Sequence, residues 1–318
     1  MAMVPLIIKV GFTKRNNHLN RTIIMKRIYF LALLMIIVSL DTKAQQESLI
    51  TQYNSQMALF NPAAVSLNGS RTMSLLHRRH WANVPMSPIT TSFTYGYDAG
   101  KNVGLGMSVI MDKVFVTQST FVSIDYSYRL QLEDDAFLYL GIKAGANFYA
   151  INAGGLNTYN LTADPSLNTT DLILPNIGFG AYYTKRDFYF SLGIPRVLDT
   201  KQTKTENGLV SVVTDKPHLY SAMGYEFLVS KAHDIYLKPS VFTRIVTGAP
   251  MTTDFNTMVS FNRKFEIGAT YRTTKTYAAL LQLKLDDHFT TGWVYEINSQ
   301  SMFSNAGNSL EILLMYQF

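Results

Sequence analysis

The 318-residue sequence has no cysteine. Disulfide stapling, thiolate metal sites, thiol catalysis and a lipid anchor on an N-terminal cysteine are therefore excluded. An exported protein built without disulfides fits a bacterial envelope better than a small secreted scaffold. Beyond residue 44 there is no run of 18 uninterrupted apolar residues, which argues against a helical membrane protein. Charge of one sign is also scarce. The formal charge is +6, but seven of the 28 Lys/Arg and one of the 22 acids precede Gln45, which leaves 21 of each in the remainder. A nucleic-acid surface is excluded on that balance.

The early basic residues belong to a leader. Met25 is followed by Lys26 and Arg27, an apolar run from Ile28 to Leu40, and Thr42-Lys43-Ala44. That order predicts a secretory signal peptide starting at Met25 and cleaved after Ala44, with residues 1–24 an upstream extension.

From residue 71 onward the dominant signal is a period of two. In "TFVSIDYSYRLQL", Val122, Ile124, Tyr126, Tyr128, Leu130 and Leu132 alternate with Ser123, Asp125, Ser127, Arg129 and Gln131. One face is apolar and the other polar. About fourteen such segments run from 71–81 to 308–318, several of them long enough for a tilted strand to cross a bilayer, the sixth being placed at 175–185. Connections after even-numbered segments are short and polar ("DAGKN", "LEDDA", "TKRD", "SKAHD", "NRK", "DDHF"), whereas the longest, 152–174 and 198–217, follow odd-numbered ones.

This asymmetry predicts an all-β fold, a transmembrane up-and-down antiparallel β-barrel of about 14 strands over 71–318, with tight periplasmic turns and longer outward loops. Residues 45–70 precede the first strand and are expected either to plug the lumen or to lie along the periplasmic rim. The final strand "LEILLMYQF" closes the barrel, with Leu310, Ile312, Leu314, Tyr316 and Phe318 toward lipid.

No constellation reads as an active site. His77 and His80 of "HRRHWANVP" would share a face on a helix, but in a strand their odd separation sends them to opposite faces, so no metal site is expected. Arg78, Arg79 and Trp81 are expected on a strand near the interface, with Trp81 at headgroup level and the basic side chains in the lumen or on its rim. The glycines of "NVGLGMSV" and "NIGFGAYY" lack the third glycine and the helix of a phosphate loop; in a barrel wall they mark a kink or a close backbone approach. The acids of "LEDDA" and "LDDHF" are turn charges. Asp125, Arg129, Lys238, Arg244, Glu266 and Arg272 are expected in the lumen, roughly balanced, and so not the lining of a strongly charge-selective pore. Around His77, His80, His218, His233 and His288 no hydrolase set gathers, and no enzyme and no cofactor are expected.

The segments "QYNSQMALFNPAAVS", "RRHWANVPMSPITTSF" and "NVGLGMSVIMDKV" and the terminal barrel strand, in this order behind a "KAQQ" cleavage site, resemble the PorP/SprF family of type IX secretion and gliding proteins of Bacteroidota. The Asn61-Pro62-Ala63 stretch matches the family pattern, and Arg79-His80 departs from it. The resemblance implies an outer-membrane barrel that helps a large adhesin-like secreted surface protein with a C-terminal sorting domain to cross or attach to the membrane. Its partners would be that cargo, secretion and gliding machinery components, outer-membrane lipid, and the barrel assembly machinery, which would read Tyr316 and Phe318. The alternative is an outer-membrane channel for hydrophobic or small solutes.

Overall fold

The computed structural model describes residues 49–67, 69, 71–151, 170–206, 209–247, 249–299 and 307–318, all within the compact unit Gln45–Phe318. The expected extension, signal peptide and cleavage site, and most of the 152–174 connection, lie outside the described residues.

The period of two becomes one closed antiparallel sheet. Its strands in chain order are β1 (Thr72–Arg79), β2 (Ile89–Gly100), β3 (Val103–Val114), β4 (Thr117–Glu133), β5 (Ala136–Ile151), β6 (Thr170–Lys185) and β7 (Phe188–Ile194). Two strands, β8 (Thr200–Glu206) and β9 (Leu209–Asp215), form a separate hairpin. The wall resumes with β10 (His218–Tyr225), β11 (Phe227–Ser230), β12 (Ile235–Val246), β13 (Thr252–Phe261), β14 (Phe265–Arg272), β15 (Thr276–Lys284), β16 (Phe289–Asn298) and β17 (Ser309–Gln317). Because β10 and β11 are halves of one strand interrupted at Glu226, the wall is a 14-stranded barrel. Two seams complete the ring: β1 with β17, from Thr72↔Gln317 to Arg79↔Leu310, and β10 with β12, from His218↔Val246 to Gly224↔Ser240.

Closure gives every wall strand two neighbours, the arrangement a sheet needs where lipid offers no hydrogen bonds. The side chains sort by parity as the alternation requires. On β4, Ile124 is 67% exposed and Ser123 only 2%. On β17, Leu310, Ile312 and Leu314 point outward, while Ser309, Glu311 and Leu313 are buried inside. The apolar exterior and the closed wall place the protein in the outer membrane.

One end of the ring carries the long connections together with two tight turns, 115–116 and 273–275; the other carries the connections after even-numbered wall strands, all of them short. Lys101-Asn102 joins β2 to β3 with φ of 53° and 65°, the positive pair a tight hairpin turn demands. Both Thr72 and Phe318 lie at this end, the periplasmic end in barrels of this kind.

Two features differ from expectation. The sixth wall strand begins at Thr170 rather than 175 and runs through Pro175, which faces Ala146 of β5. Its other neighbour β7 pairs only as far as Phe179, so the N–H that proline lacks breaks no ladder on that side. Second, the loop 198–217 contains the hairpin β8–β9. Its first strand reads "TKQTKTE", polar throughout, so no apolar alternation announces it.

Candidate functional site

Residues 49–67 lie inside the barrel. Tyr53–Gln56 forms a 3₁₀ turn, Met57–Phe60 one turn of α-helix, and Pro62–Ser66 a second 3₁₀ turn. Asn61 sets the last of these. It is extended at φ −144° and ψ 109°, its Oδ1 accepts from Ala63 N at 2.9 Å, and Pro62 supplies the fixed φ that suits a helical first position. Its Nδ2 also donates to Ala181 O at 2.9 Å and to Ser191 Oγ at 2.8 Å on the wall. One side chain thus both caps the turn and ties it to β6 and β7.

The wall makes room for the segment with glycines. A Cβ on Gly106 would overlap Val65, one on Gly141 the backbone of Pro62 and Ala63, and one on Gly180 the Asn61 amide. The close approach expected of the "NVGLG" and "NIGFG" glycines is an approach by residues 61–66 at Gly104, Gly106 and Gly180, whereas Gly178 lies against the backbone of Ile194 and Pro195. Around the other side of the segment, Tyr53 stacks on Phe242 at 4.4 Å, Phe60 meets Phe242 and Tyr220 at 5.0 and 4.9 Å, and Tyr53 Oη lies 2.8 Å from Ser240 Oγ. Gln56 Nε2 donates to Ser74 Oγ at 2.9 Å.

Toward the long-loop end, the lumen is crossed by six alternating charges from six strands. Arg244 (β12) pairs with Asp254 (β13) at 2.9 Å, and Asp254 with Arg272 (β14) at 2.8 Å. Arg272 reaches Glu296 (β16) at 3.1 Å, which pairs with Arg78 (β1) at 2.8 Å, and Arg78 ends on Glu311 (β17). All six are buried and the three cations match the three anions. The segment plugs into this row. Glu311 accepts from the N–H groups of Thr51 and Gln52 at 2.8 and 3.2 Å, Arg244 donates to Ile50 O at 3.1 Å, and Arg272 donates to Thr51 Oγ1 at 3.2 Å. Lower down, Lys143 pairs with Asp125 at 2.6 Å and donates to Ala58 O at 3.2 Å.

The residues singled out from sequence are placed as follows. Asn61, Pro62 and Ala63 sit in the lumen. Arg78 is buried in the lumen, within the charge row, because its parity on β1 is that of Ser74 and Leu76. Arg79 points outward and donates to Ala82 O at 3.3 Å. Trp81 follows β1 with φ 53° and packs its ring 4.3 Å from that of His80. His77 faces outward beside Thr91, so the two histidines do not meet. Tyr316 and Phe318 stand edge to face at 4.8 Å, and Phe318 N donates to Arg71 O at 2.9 Å. Of the expected lumenal charges, Asp125, Lys238, Arg244, Glu266 and Arg272 enter ion pairs of the lumen, while Arg129 lies exposed and donates to Asn102.

The carboxylates Asp254, Glu296 and Glu311 escaped sequence reasoning. Each has the inward parity of its strand, but only the register of six strands brings them to one level.

His80 continues from β1 at the long-loop rim, with Nδ1 2.6 Å from Ser309 Oγ and 3.0 Å from Arg78. Burial and the neighbouring Arg78 guanidinium pull its pKa down to about 4, against a smaller opposing pull from Glu296.

Comparison with known proteins supplies the family. The model of the type IX secretion system membrane protein PorP/SprF matches residues 42–316. The chain belongs to this family. PorP/SprF membership gives the barrel a type IX secretion role at the outer membrane. Direct comparison with curated protein sequences finds no match. Among solved structures, the toluene transporter TbuX of Ralstonia pickettii is 12% identical with a TM-score of 0.50, over 82% of this chain and 92% of that one. The monoaromatic hydrocarbon channel CymD is 10% identical with a TM-score of 0.51, over 83% and 91%. At these identities the likeness is one of fold.

Proposed function

We propose that this PorP/SprF protein is a non-enzymatic, sealed outer-membrane barrel that helps a large adhesin-like secreted protein cross or remain attached to the membrane. The observation that carries this reading is the filled lumen. A segment wedged against wall glycines and a row of six buried charges occupy the space through which a solute channel would conduct, so the working surfaces are the two ends of the barrel. The outward end carries the long connections, one of which holds the hairpin β8–β9. This end is the contact for the cargo, and gliding components join where the cargo is a motility adhesin. The periplasmic end meets secretion machinery. Tyr316 and Phe318 on the closing strand serve as the recognition mark for the barrel assembly machinery.

Replacing residues 199–216 with a short Gly/Ser turn tests the cargo contact. The variant is expected to insert and fold as the parent does while surface display of the cargo falls several-fold. Undiminished display would remove the hairpin from the reading. Solute flux through the intact reconstituted protein would favour the channel alternative instead.

A further inference from the structure

A cavity of about 580 Å³ opens at the short-turn end, between the N-terminal segment and the wall from β6 to β15. Its size is that of ordinary ligand pockets, about 300–1,000 Å³. The mouth is charged but balanced. Lys238 pairs with Glu266 at 2.7 Å and Glu226 at 3.5 Å, Arg263 pairs with Glu226 at 2.6 Å, and Arg186 and Asp187 make the tally three cations to three carboxylates. Along one wall Tyr182 and Tyr189 stack with centroids 5.6 Å apart. Farther from the turns, Met57, Met258 and Leu280 form a buried apolar floor.

Two carboxamides line the same cavity. Gln52 and Asn256 are 7% and 4% exposed, yet Gln52 Nε2 and Asn256 Oδ1 have no hydrogen-bond partner. Asn256 spends its Nδ2 on Thr270 Oγ1 at 2.9 Å, which leaves only the oxygen unpaired. Buried polar atoms are as a rule hydrogen-bonded, so a donor and an acceptor left idle in one pocket describe what should fill it. The missing group offers an acceptor and a donor, carries no net charge, and has an apolar part to rest on methionines, whose flexible thioethers adapt to varied shapes.

We propose that this cavity binds an uncharged peptide segment, its backbone amides closing on Gln52 and Asn256 and one apolar side chain resting on Met57, Met258 and Leu280. A sugar would satisfy the carboxamides but leave the methionine floor uncovered, and a charged peptide would have to break pairs that are already matched. The proposal rests on the outer-membrane reading above, by which this end faces the periplasm.

The test uses the folded mature protein in detergent, titrated by calorimetry with a pool of N-acetylated, C-amidated tripeptides bearing Leu, Met, Val or Phe at the centre, and separately with N-acetylchitotriose. The pool is expected to bind, and Asn256→Ala and Gln52→Ala are each expected to weaken it at least tenfold, with folding checked by heat-modifiable mobility on gels. Binding of the trisaccharide with the pool inert, no binding of either, or pool binding that both variants leave unchanged would overturn the proposal. Because binding is read on purified protein and cargo display in cells, loss of the display reading and loss of the cavity assignment are separate results.

Discussion

Glu311 is one of the side chains that tie the lumen together. It receives Arg78 and the two backbone N–H groups of Thr51 and Gln52, so it joins the charge row to the N-terminal segment. Removing one partner of a buried pair strands the other, at a cost of roughly 3–5 kcal/mol. Glu311→Leu is therefore expected to lower barrel stability by about that amount, seen as loss of the heat-modifiable folded band at a lower temperature or urea concentration. Adding Arg78→Met should return part of the loss; no return would mean that the stranded N–H groups, not Arg78, dominate. The rim histidine behaves differently. His80 faces Arg78, Glu296, Arg272 and Ser309, and its folded pKa near 4 is below the unfolded value of about 6.5. The unfolded chain then binds more protons between those values, so the stability His80 contributes is complete above about pH 6.5 and is lost as pH falls toward 4. His80→Gln should flatten the fall in melting temperature across that window, and an equal fall in both proteins would remove His80 as its source.

At the scale of the element, the N-terminal segment and the wall are matched surfaces. Gly141 has the backbone of Pro62 and Ala63 against its inner face, and a side chain there must push the segment off. Gly141→Val is expected to cost about 1–3 kcal/mol in segment seating while the wall still closes. Limited proteolysis should then cut within 49–67 in the variant and not in the parent, and equal resistance would show that the segment accommodates the valine. The strands themselves were legible because a half-buried strand writes its parity into the sequence, as Ser123 and Ile124 show. The start of β6 was not, since Pro175 reads as a strand end until the short reach of β7 is known. The β8–β9 hairpin was hidden for a different reason: its first strand, TKQTKTE, carries no apolar residue with which a period of two could be written. In the site, Asn61-Pro62-Ala63 stood out through a family pattern, whereas Asp254, Glu296 and Glu311 are single acids on separate strands. Nothing local distinguishes them until the ring is closed.

The whole molecule poses a question that neither residues nor elements answer: which part of the filling seals it. Inward side chains of a barrel this size leave space that other barrels use for transport. Here the segment occupies one part of the lumen, and the charge row crosses nearer the long-loop end, above a cluster of Met258, Ala278, Leu280 and Val294. The two layers share contacts at Ile50, Thr51 and Gln52, so they should fail together rather than in turn. A chain lacking residues 45–67 loses the partners of Glu311 N–H acceptance, of Lys143 and of the wall glycines at once. In planar bilayers the parent is expected to show no steady conductance and the shortened barrel to show a persistent one. If the shortened barrel folds and stays closed, the charge row alone is the seal and the segment's contribution is confined to stability. If the parent itself conducts, the filled lumen does not close the barrel, and the argument from sealing to a docking function fails with it.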